Sequence, residues 1–167
     1  MQINQNVEEL SQLDINIKIV GVGGGGGNAV HHLIEEHKEE LYNFDVKNLE
    51  TIVMNTDSQA LAKSNADKTV RLGTKMTKGL GAGMKPEVGR EAAKENYEEI
   101  LEALSGADIV FIASGLGGGT GTGAISVVSQ AAKETGALVI SIVTKPFQME
   151  GSKRLRLALS GLEELSK

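Results

Sequence analysis

Cysteine and tryptophan are both absent from this chain of 167 residues, and aromatic residues make up only 3% of it. Without cysteine the chain has neither a disulfide framework nor a thiolate metal site. No apolar run approaches the roughly 18–20 residues that a membrane-spanning helix needs. The net charge of −5 argues against nucleic acid as the main partner, because such binding requires a basic face. The polar segment 1–16 is unlike a signal peptide, so we expect a soluble cytoplasmic protein.

Glycine, in contrast, is abundant: the chain has 21, and fifteen of them fall into three clusters. The clusters are Gly21 with 23–27, then three glycines between 79 and 83, then six between 115 and 123. Each cluster abuts a segment with helix or strand periodicity, whereas a low-complexity linker shows no such flanking pattern. The clusters therefore predict loops of a folded domain, and a hydrophobic share of 40% argues against disorder.

Apolar runs and amphipathic segments alternate along the chain. The predicted strands are 17–22, 51–54, 69–72, 108–113 and 138–143, and the predicted helices are 30–41, 58–63, 86–106, 124–135 and 155–165. This alternation is typical of an α/β fold, with a doubly wound, mostly parallel sheet between two layers of helices. The last strand is apolar at every position except Ser141, which predicts that both of its faces are covered. The glycine clusters follow strands, so they should meet at the carboxyl edge, where such sheets bind ligands.

The glycine cluster at 115–123 lies between a predicted strand and a predicted helix. A helix N-terminus offers unpaired N–H groups and a partial positive charge. Glycine lets the backbone approach an anion without an intervening Cβ. This arrangement predicts a loop that holds the phosphates of a nucleotide.

Three classes of nucleotide site compete for this chain. Residues 21–26 satisfy the G-x-G-x-x-G pattern of dinucleotide-binding folds, but Asp57 comes too late to be the acid that this pattern requires. A P-loop requires a lysine, and 115–122 contains none. The third class is the tubulin-like one, whose signature G-G-G-T-G-[ST]-G is matched by 117–123.

The chain resembles the FtsZ family, the bacterial tubulin-like GTPases of cell division, from about residue 17 to residue 165. The shared stretches, in the same order, are 23–28, 55–57, 79–86, 117–123 and 145–154. The resemblance implies a filament-forming GTPase in the cytoplasm, at the mid-cell division site, with GTP or GDP and Mg²⁺ as ligands. It also implies head-to-tail association with copies of itself, and division regulators or membrane tethers as partners of the full-length protein, but neither nucleic acid nor direct membrane insertion.

The resemblance also implies which backbone segments contact the phosphates. The first cluster would contact the α- and β-phosphates and the edge of the base. The second cluster would approach the γ-phosphate, and the signature loop would wrap the β- and γ-phosphates. In that order, the residues are Gly24, Gly25, Gly26, Gly27 and Asn28; Gly81, Ala82 and Gly83; and Gly117, Gly118, Gly119, Thr120, Gly121, Thr122 and Gly123.

Four side chains complete the site that the resemblance implies. Glu150 would accept hydrogen bonds from the ribose hydroxyls, and Arg154 would reach the base or the sugar. Asn55 and Asp57 would line the phosphate side, in part through Mg²⁺ and water. Each has a structural alternative, since Asp57 can cap the helix at 58–63 and Glu150 can form a surface i,i+4 pair with Arg154.

Other polar and aromatic residues are interpreted as structural. Lys145 is placed at a strand end, and the spacing of the histidines does not fit a metal site. The residues interpreted as solvated, core-edge or packing residues are His31, His32, His37, Tyr42 and Tyr97.

Three features depart from the family's pattern. Lys85 stands where the family usually has asparagine, and a lysine cannot accept hydrogen bonds from the N–H groups that open the helix at 86. It also adds a cation near that N-terminus. Met149 replaces a usual aromatic residue, and the segment 36–50 is longer than is typical.

We expect residues 1–16 to be a leader, either frayed or a short helix, and 17–167 to be the nucleotide-binding domain, truncated before the family's central helix and C-terminal domain. In the family, the central helix carries the aspartate that reads guanine. The acidic residues that position water come from the following loop of a neighbouring subunit. No catalytic residue is therefore expected in this chain, which alone should hydrolyse GTP negligibly. The alternative is a nucleotide-binding interaction module that docks on or caps a partner without hydrolysis.

Overall fold

The computed structural model describes residues 15–36 and 48–166, and the elements below are those of this part of the chain. Its strands are β1 (Asn16–Val22), β2 (Asn48–Asn55), β3 (Lys68–Arg71), β4 (Ile109–Gly115) and β5 (Leu138–Thr144). Its helices are α1 (Gly23–Glu36), α2 (Ser58–Ala62), α3 (Pro86–Glu95), α4 (Tyr97–Leu104), α5 (Thr120–Glu134) and α6 (Ser152–Leu165), with a 3₁₀ turn at Gln148–Glu150. The leader predicted at 1–16 lies almost entirely outside the described residues, as do His37, Tyr42 and most of 36–50.

The five strands form one parallel sheet in the order β3-β2-β1-β4-β5. Ile17 of β1 lies opposite Leu49 of β2 on one side and Ile109 of β4 on the other. From β1 the chain proceeds outward through β2 to β3, and from β4 it proceeds in the opposite direction to β5. The strand order therefore reverses between β1 and β4, which confirms the predicted doubly wound sheet.

Helices flank both faces of this sheet. Successive strand residues point to opposite sides, so each face presents side chains that pack against a helical layer. On one face, Val20, Ile52 and Ile112 join a buried core with residues of α3, α4, α5 and α6. On the other face lies α1, where a Cβ added to Gly21 would come within 2.9 Å of Cγ2 of Val30. The layers are thus helices, sheet and helices, as the alternation of the sequence predicts.

Helix α5 occupies the centre of the larger helical layer. Its apolar residues, among them Ile125, Val128 and Ala132, are fully buried. Helices α3, α4 and α6 all pack against it. No helix of the described residues is long and apolar enough to cross a lipid bilayer.

Two helices begin inside the glycine clusters, earlier than the sequence predicts. Helix α1 begins at Gly23 and α5 begins at Thr120, whereas the predicted starts are 30 and 124. Glycine disfavours a helix interior by about 1 kcal/mol relative to alanine, so periodicity places the starts after the clusters. Tertiary packing overrides that preference here, so the first turn of α1 consists of glycines and the first turn of α5 alternates threonine and glycine.

The single helix predicted over 86–106 is wrong, because the structure divides it at Asn96 into α3 and α4. The buried Asn96 side chain accepts a hydrogen bond from the Gly73 N–H at 2.8 Å. Its backbone adopts φ −110° and ψ 32°, which is not helical. A bond to a residue 23 positions away therefore interrupts a continuous apolar periodicity.

The prediction that both faces of β5 are covered is also wrong in the described structure. Val139 and Val143 pack against the main core on the α5 side. On the opposite face, Leu138 is 60% exposed and Ile142 is 58% exposed, with Ile140 between them. We call Leu138, Ile140 and Ile142 the β5 stripe; it lies on an edge strand.

Candidate functional site

The two longest glycine clusters meet at the point where the strand order reverses. A Cβ added to Gly25 in α1 would lie 3.0 Å from the Cα of Gly115 at the end of β4. A Cβ added to Gly23 would lie 2.7 Å from the backbone nitrogen of Gly121 in α5. The N-termini of α1 and α5 are therefore in contact, and only glycine permits this approach. Two helix N-termini at a topological switch point are the arrangement that favours anion binding in such sheets.

The signature loop is fixed by its own hydrogen bonds. The Gly117 N–H donates to Oγ1 of Thr122 at 2.8 Å. Gly117 has a φ of 105°, which favours glycine. Gly118 borders open space, since a Cβ there would meet nothing within 4 Å. The loop thus presents the backbone at Gly118 outward while its neighbours are anchored.

Other members of the signature lie beneath that surface. Thr120, Gly121, Thr122 and Gly123 are all buried in the first turn of α5. A Cβ on Gly123 would overlap the carbonyl oxygen of Pro86, so this glycine allows α3 and α5 to pack closely. The geometry gives Gly121, Thr122 and Gly123 a role in shaping the loop and its packing.

The first cluster shows the same division between open and packed glycines. Gly24, Gly25 and Asn28 are exposed at the start of α1, whereas Gly26 is buried. A Cβ on Gly26 would overlap the carbonyl oxygen of Ala113 in β4. Gly24 has nothing within 4 Å of such a Cβ, so its backbone faces the open side of the site.

The end of β2 forms the next wall of the site. Asp57 caps α2, because its Oδ1 accepts from the N–H groups of Gln59 at 2.8 Å and Ala60 at 3.3 Å. Asn55 is buried, and its Oδ1 accepts from the Asp57 N–H at 3.2 Å. The structural alternative for Asp57 is thus observed. A cavity of about 390 Å³ adjoins these residues, and its lining includes Gly24, Asn28, His31, Asn55, Asp57 and Lys63.

The second glycine cluster lies against the signature loop. Gly81 and Gly83 have φ values of 82° and 56°, and a Cβ on either would meet nothing within 4 Å. Ala82 is buried between them, and its Cβ lies 2.8 Å from the position that a Cβ of Gly119 would take. The two loops are therefore packed together. Thr56, which lies in the shared stretch 55–57 but was given no role by the sequence, also joins them.

Glu150 and Arg154 form the ion pair that the structural alternative describes. Arg154 Nη1 donates to Glu150 Oε2 at 2.9 Å, and the Phe147 N–H donates to Glu150 Oε1 at 2.8 Å. The Phe147 N–H and, next, the Arg154 guanidinium hold the pKa of the Glu150 carboxyl below its usual value. A Cβ on Gly117 would lie 3.1 Å from the carbonyl oxygen of Arg154, so the pair borders the signature loop.

The remaining candidates are Lys85, the described histidines and Lys145. Lys85 precedes α3 without a side-chain cap, and its backbone nitrogen lies 2.9 Å from the position of a Gly119 Cβ. His31 Nδ1 lies 3.0 Å from Asn65 Oδ1, and His32 is exposed beside Glu36. Lys145 is exposed at the end of β5. Within 15–36 and 48–166, no three histidine or acidic residues are grouped so that they could hold a metal ion.

Comparison with known proteins identifies the family. Residues 16–167 match the profile of the Tubulin/FtsZ family, GTPase domain. Cell division protein FtsZ of Buchnera aphidicola subsp. Schizaphis graminum is 52% identical over 151 residues, which is 90% of this chain and 37% of the relative. This chain therefore spans well under half the length of that relative.

Solved structures agree with the sequence match. The structure described as an empty FtsZ dimer of M. jannaschii superposes with a TM-score of 0.84 at 44% identity, over 97% of this chain and 45% of that one. The GDP-bound CetZ1 monomer of Haloferax volcanii gives a TM-score of 0.80 at 25% identity, over 90% and 48%. The chain belongs to the Tubulin/FtsZ family, whose GTPase domain it matches from residue 16 to residue 167.

Proposed function

We propose that this chain binds GTP and GDP by their phosphates where α1 and α5 meet. The observation that carries the proposal is the contact between the two helix N-termini, with Gly24 and Gly118 facing open space beside them. Charge-assisted hydrogen bonds from such N–H groups are worth about 1.5–3 kcal/mol each, so a few are sufficient for tight binding. The CetZ1 relative is described as GDP-bound, which supports a guanine nucleotide as the ligand.

The roles of the side chains are part of the same proposal. Glu150 accepts from the ribose hydroxyls, and Arg154, which it holds by an ion pair, contacts the base or the sugar. Asn55 and Asp57 face the phosphates, with Mg²⁺ bound chiefly by the phosphates themselves. Two observations support these roles. Asn55 and Asp57 line a cavity together with Gly24 of the first glycine cluster. Arg154, the partner of Glu150, lies against Gly117 of the signature loop.

We propose that hydrolysis requires acidic residues from a second subunit. Attack on the γ-phosphate needs a water molecule held in line with the leaving group. Asp57 is engaged in capping α2, and Glu150 is engaged with Phe147 and Arg154. Each carboxylate therefore already has at least one oxygen bonded within the chain, which supports an acid from a second subunit as the group that positions the water. By this proposal, the purified chain binds GTP but hydrolyses it negligibly, and measurable turnover by the chain alone would contradict it.

For the whole protein we propose a filament subunit that acts in cell division. In this proposal residues 17–167 are its nucleotide-binding domain, and copies associate head to tail so that one subunit completes the site of the next. The FtsZ relative of M. jannaschii is described as a dimer, which supports self-association. If the chain added to full-length FtsZ does not raise hydrolysis above the rate of full-length FtsZ alone, the non-hydrolysing interaction module is the better description.

The binding proposal is tested by calorimetric titration of the chain with GDP, GTPγS and ATPγS. We expect both guanine nucleotides to bind, and Gly118→Asp to weaken them at least tenfold, because a carboxylate beside the phosphates repels them. Gln130→Asp places the same charge on an exposed position further along α5 and should change neither affinity. Equal binding by the wild type and Gly118→Asp would contradict the phosphate site, and equal binding of ATPγS and GTPγS would contradict guanine selectivity.

A further inference from the structure

Thr56 is a fully buried polar residue at the centre of three loops. It follows β2 directly and is 0% exposed. Its Oγ1 lies 2.6 Å from Oγ1 of Thr120, the first residue of α5. The side chain therefore bonds to the start of the helix that opens the phosphate site, 64 residues further along the chain.

The backbone of Thr56 bonds to the second glycine cluster. Its carbonyl oxygen accepts from the Gly81 N–H at 3.2 Å and from Oγ1 of Thr77 at 3.3 Å. The next residue, Asp57, forms an isolated antiparallel bridge with Leu80. The segment 77–81 is thus held by Thr56 and its neighbour.

We propose that Thr56 is a positioning residue that couples the loop at 79–83 to the signature loop. The inference rests on the proposed function. When the Thr56 hydroxyl donates to Thr120 Oγ1, the hydrogen of the Thr120 hydroxyl is left to donate to a phosphate oxygen. The Thr56 carbonyl at the same time fixes the position of Gly81, in the loop that the resemblance assigns to the γ-phosphate. One residue thereby aligns both loops on a triphosphate, while a diphosphate engages only one of them.

If Thr56 were only a structural residue, its replacement would weaken the binding of both nucleotides equally. Thr51 offers a matched control. Thr51 lies on β2, is also buried, and its hydroxyl donates to Asp67 Oδ2 at 2.7 Å. Replacing either threonine by valine removes one buried hydroxyl and keeps the shape of the side chain. Both changes should cost stability, but only Thr56 touches the two loops of the site.

The test compares Thr56→Val, Thr56→Ser and Thr51→Val by their dissociation constants for GTPγS and GDP. We expect Thr56→Val to lower the ratio of GTPγS affinity to GDP affinity about fivefold, the effect of losing one hydrogen bond. Thr56→Ser and Thr51→Val should keep the wild-type ratio. Equal weakening of both nucleotides by Thr56→Val, or a changed ratio in Thr51→Val, would overturn the inference.

Amide hydrogen exchange without nucleotide separates this inference from the proposed function. In Thr56→Val, exchange should accelerate in both 79–83 and 117–123, and in Thr51→Val in neither. Acceleration of only one segment would overturn the coupling even if the wild type binds GDP. If the wild type binds no nucleotide, the proposed function fails, and exchange alone decides the coupling. If Thr56→Val does not fold, GDP added to the wild type must protect both segments, and protection of 117–123 alone would overturn the coupling.

Discussion

At the scale of single residues, the glycines of the site have two distinct functions. Gly24 and Gly118 border open space, so the absence of a side chain at these positions leaves room for a ligand. Gly26 and Gly123 are enclosed by backbone atoms of neighbouring elements, so the absence of a side chain there allows those elements to pack closely. The sequence cannot separate the two kinds, because the enclosing atoms belong to residues that are distant along the chain.

Gly123→Ala should destabilise the fold by about 3 kcal/mol, at the upper end of ordinary overpacking. The new methyl group would overlap the Pro86 carbonyl oxygen and come within 2.7 Å of the Arg90 nitrogen, forcing α3 away from α5. Gly118→Ala is the matched control and should leave stability within about 0.5 kcal/mol. Urea denaturation followed by circular dichroism measures both, and equal stabilities would refute the packing role.

Arg154→Met should raise the pKa of Glu150 and still leave it below 4.5, the value for an unperturbed carboxyl. The larger cause of the lowered pKa, the Phe147 N–H, remains in this variant. A lowered pKa in the fold means that the stabilising contribution of Glu150 is present above pH 4.5 and is lost as the pH falls through the folded value.

Carboxyl titration by NMR measures this pKa, and Lys153→Met, which removes a neighbouring exposed charge, should leave it nearly unchanged. An unaltered pKa in Arg154→Met would show that the ion pair does not persist in solution.

Part of the site could be predicted because its signals are local. Asp57 precedes a short helix and caps it, and the glycine clusters follow strands, both readable within a few residues. The role of Thr56, which lies in the shared stretch 55–57, could not be predicted, since it comes from bonds to Thr120 and Gly81. The residues around position 56 do not indicate either of those bonds.

At the scale of elements, the boundary between α3 and α4 depends on Asn96. Its side chain accepts from Gly73 and Thr74 and donates to Glu99. Strands and the parallel sheet were predictable from hydrophobic runs and alternation alone. This boundary was not, because apolar spacing continues through it from Val88 to Leu104 and only a tertiary contact ends the helix.

Asn96→Ala should destabilise the fold by about 1–3 kcal/mol, the usual cost of leaving buried polar groups without a partner. The N–H of Thr74 loses its acceptor, and the segment that leads to the second glycine cluster loosens. Asn65→Ala removes an exposed asparagine and should change stability by no more than about 0.5 kcal/mol. Thermal or urea unfolding compares the two, and similar small losses would count against the anchoring role.

At the scale of the whole molecule, the β5 stripe places three large aliphatic side chains on an exposed edge strand. Contiguous apolar surface of this kind promotes association. We expect the chain to associate as its concentration rises, and the double variant Leu138→Thr with Ile142→Thr to reduce this, since threonine keeps the strand propensity.

Sedimentation velocity over a concentration series measures this association. Leu159→Thr removes an aliphatic residue of α6 that is 48% exposed and outside the stripe, and should have little effect. If the double variant associates as strongly as the wild type, the β5 stripe is not the surface through which the chain associates.

The continuity of the signature loop with α5 has a consequence for the lifetime of the protein. The loop opens a helix that is buried along most of its length, so an occupied loop stabilises the same structure that global unfolding must break. A ligand at 100 times its dissociation constant adds about 2.7 kcal/mol by mass action. Proteases act on unfolded chains, so molecules without nucleotide are degraded first. If the proposed nucleotide binding is correct, the supply of nucleotide contributes to the abundance of the protein.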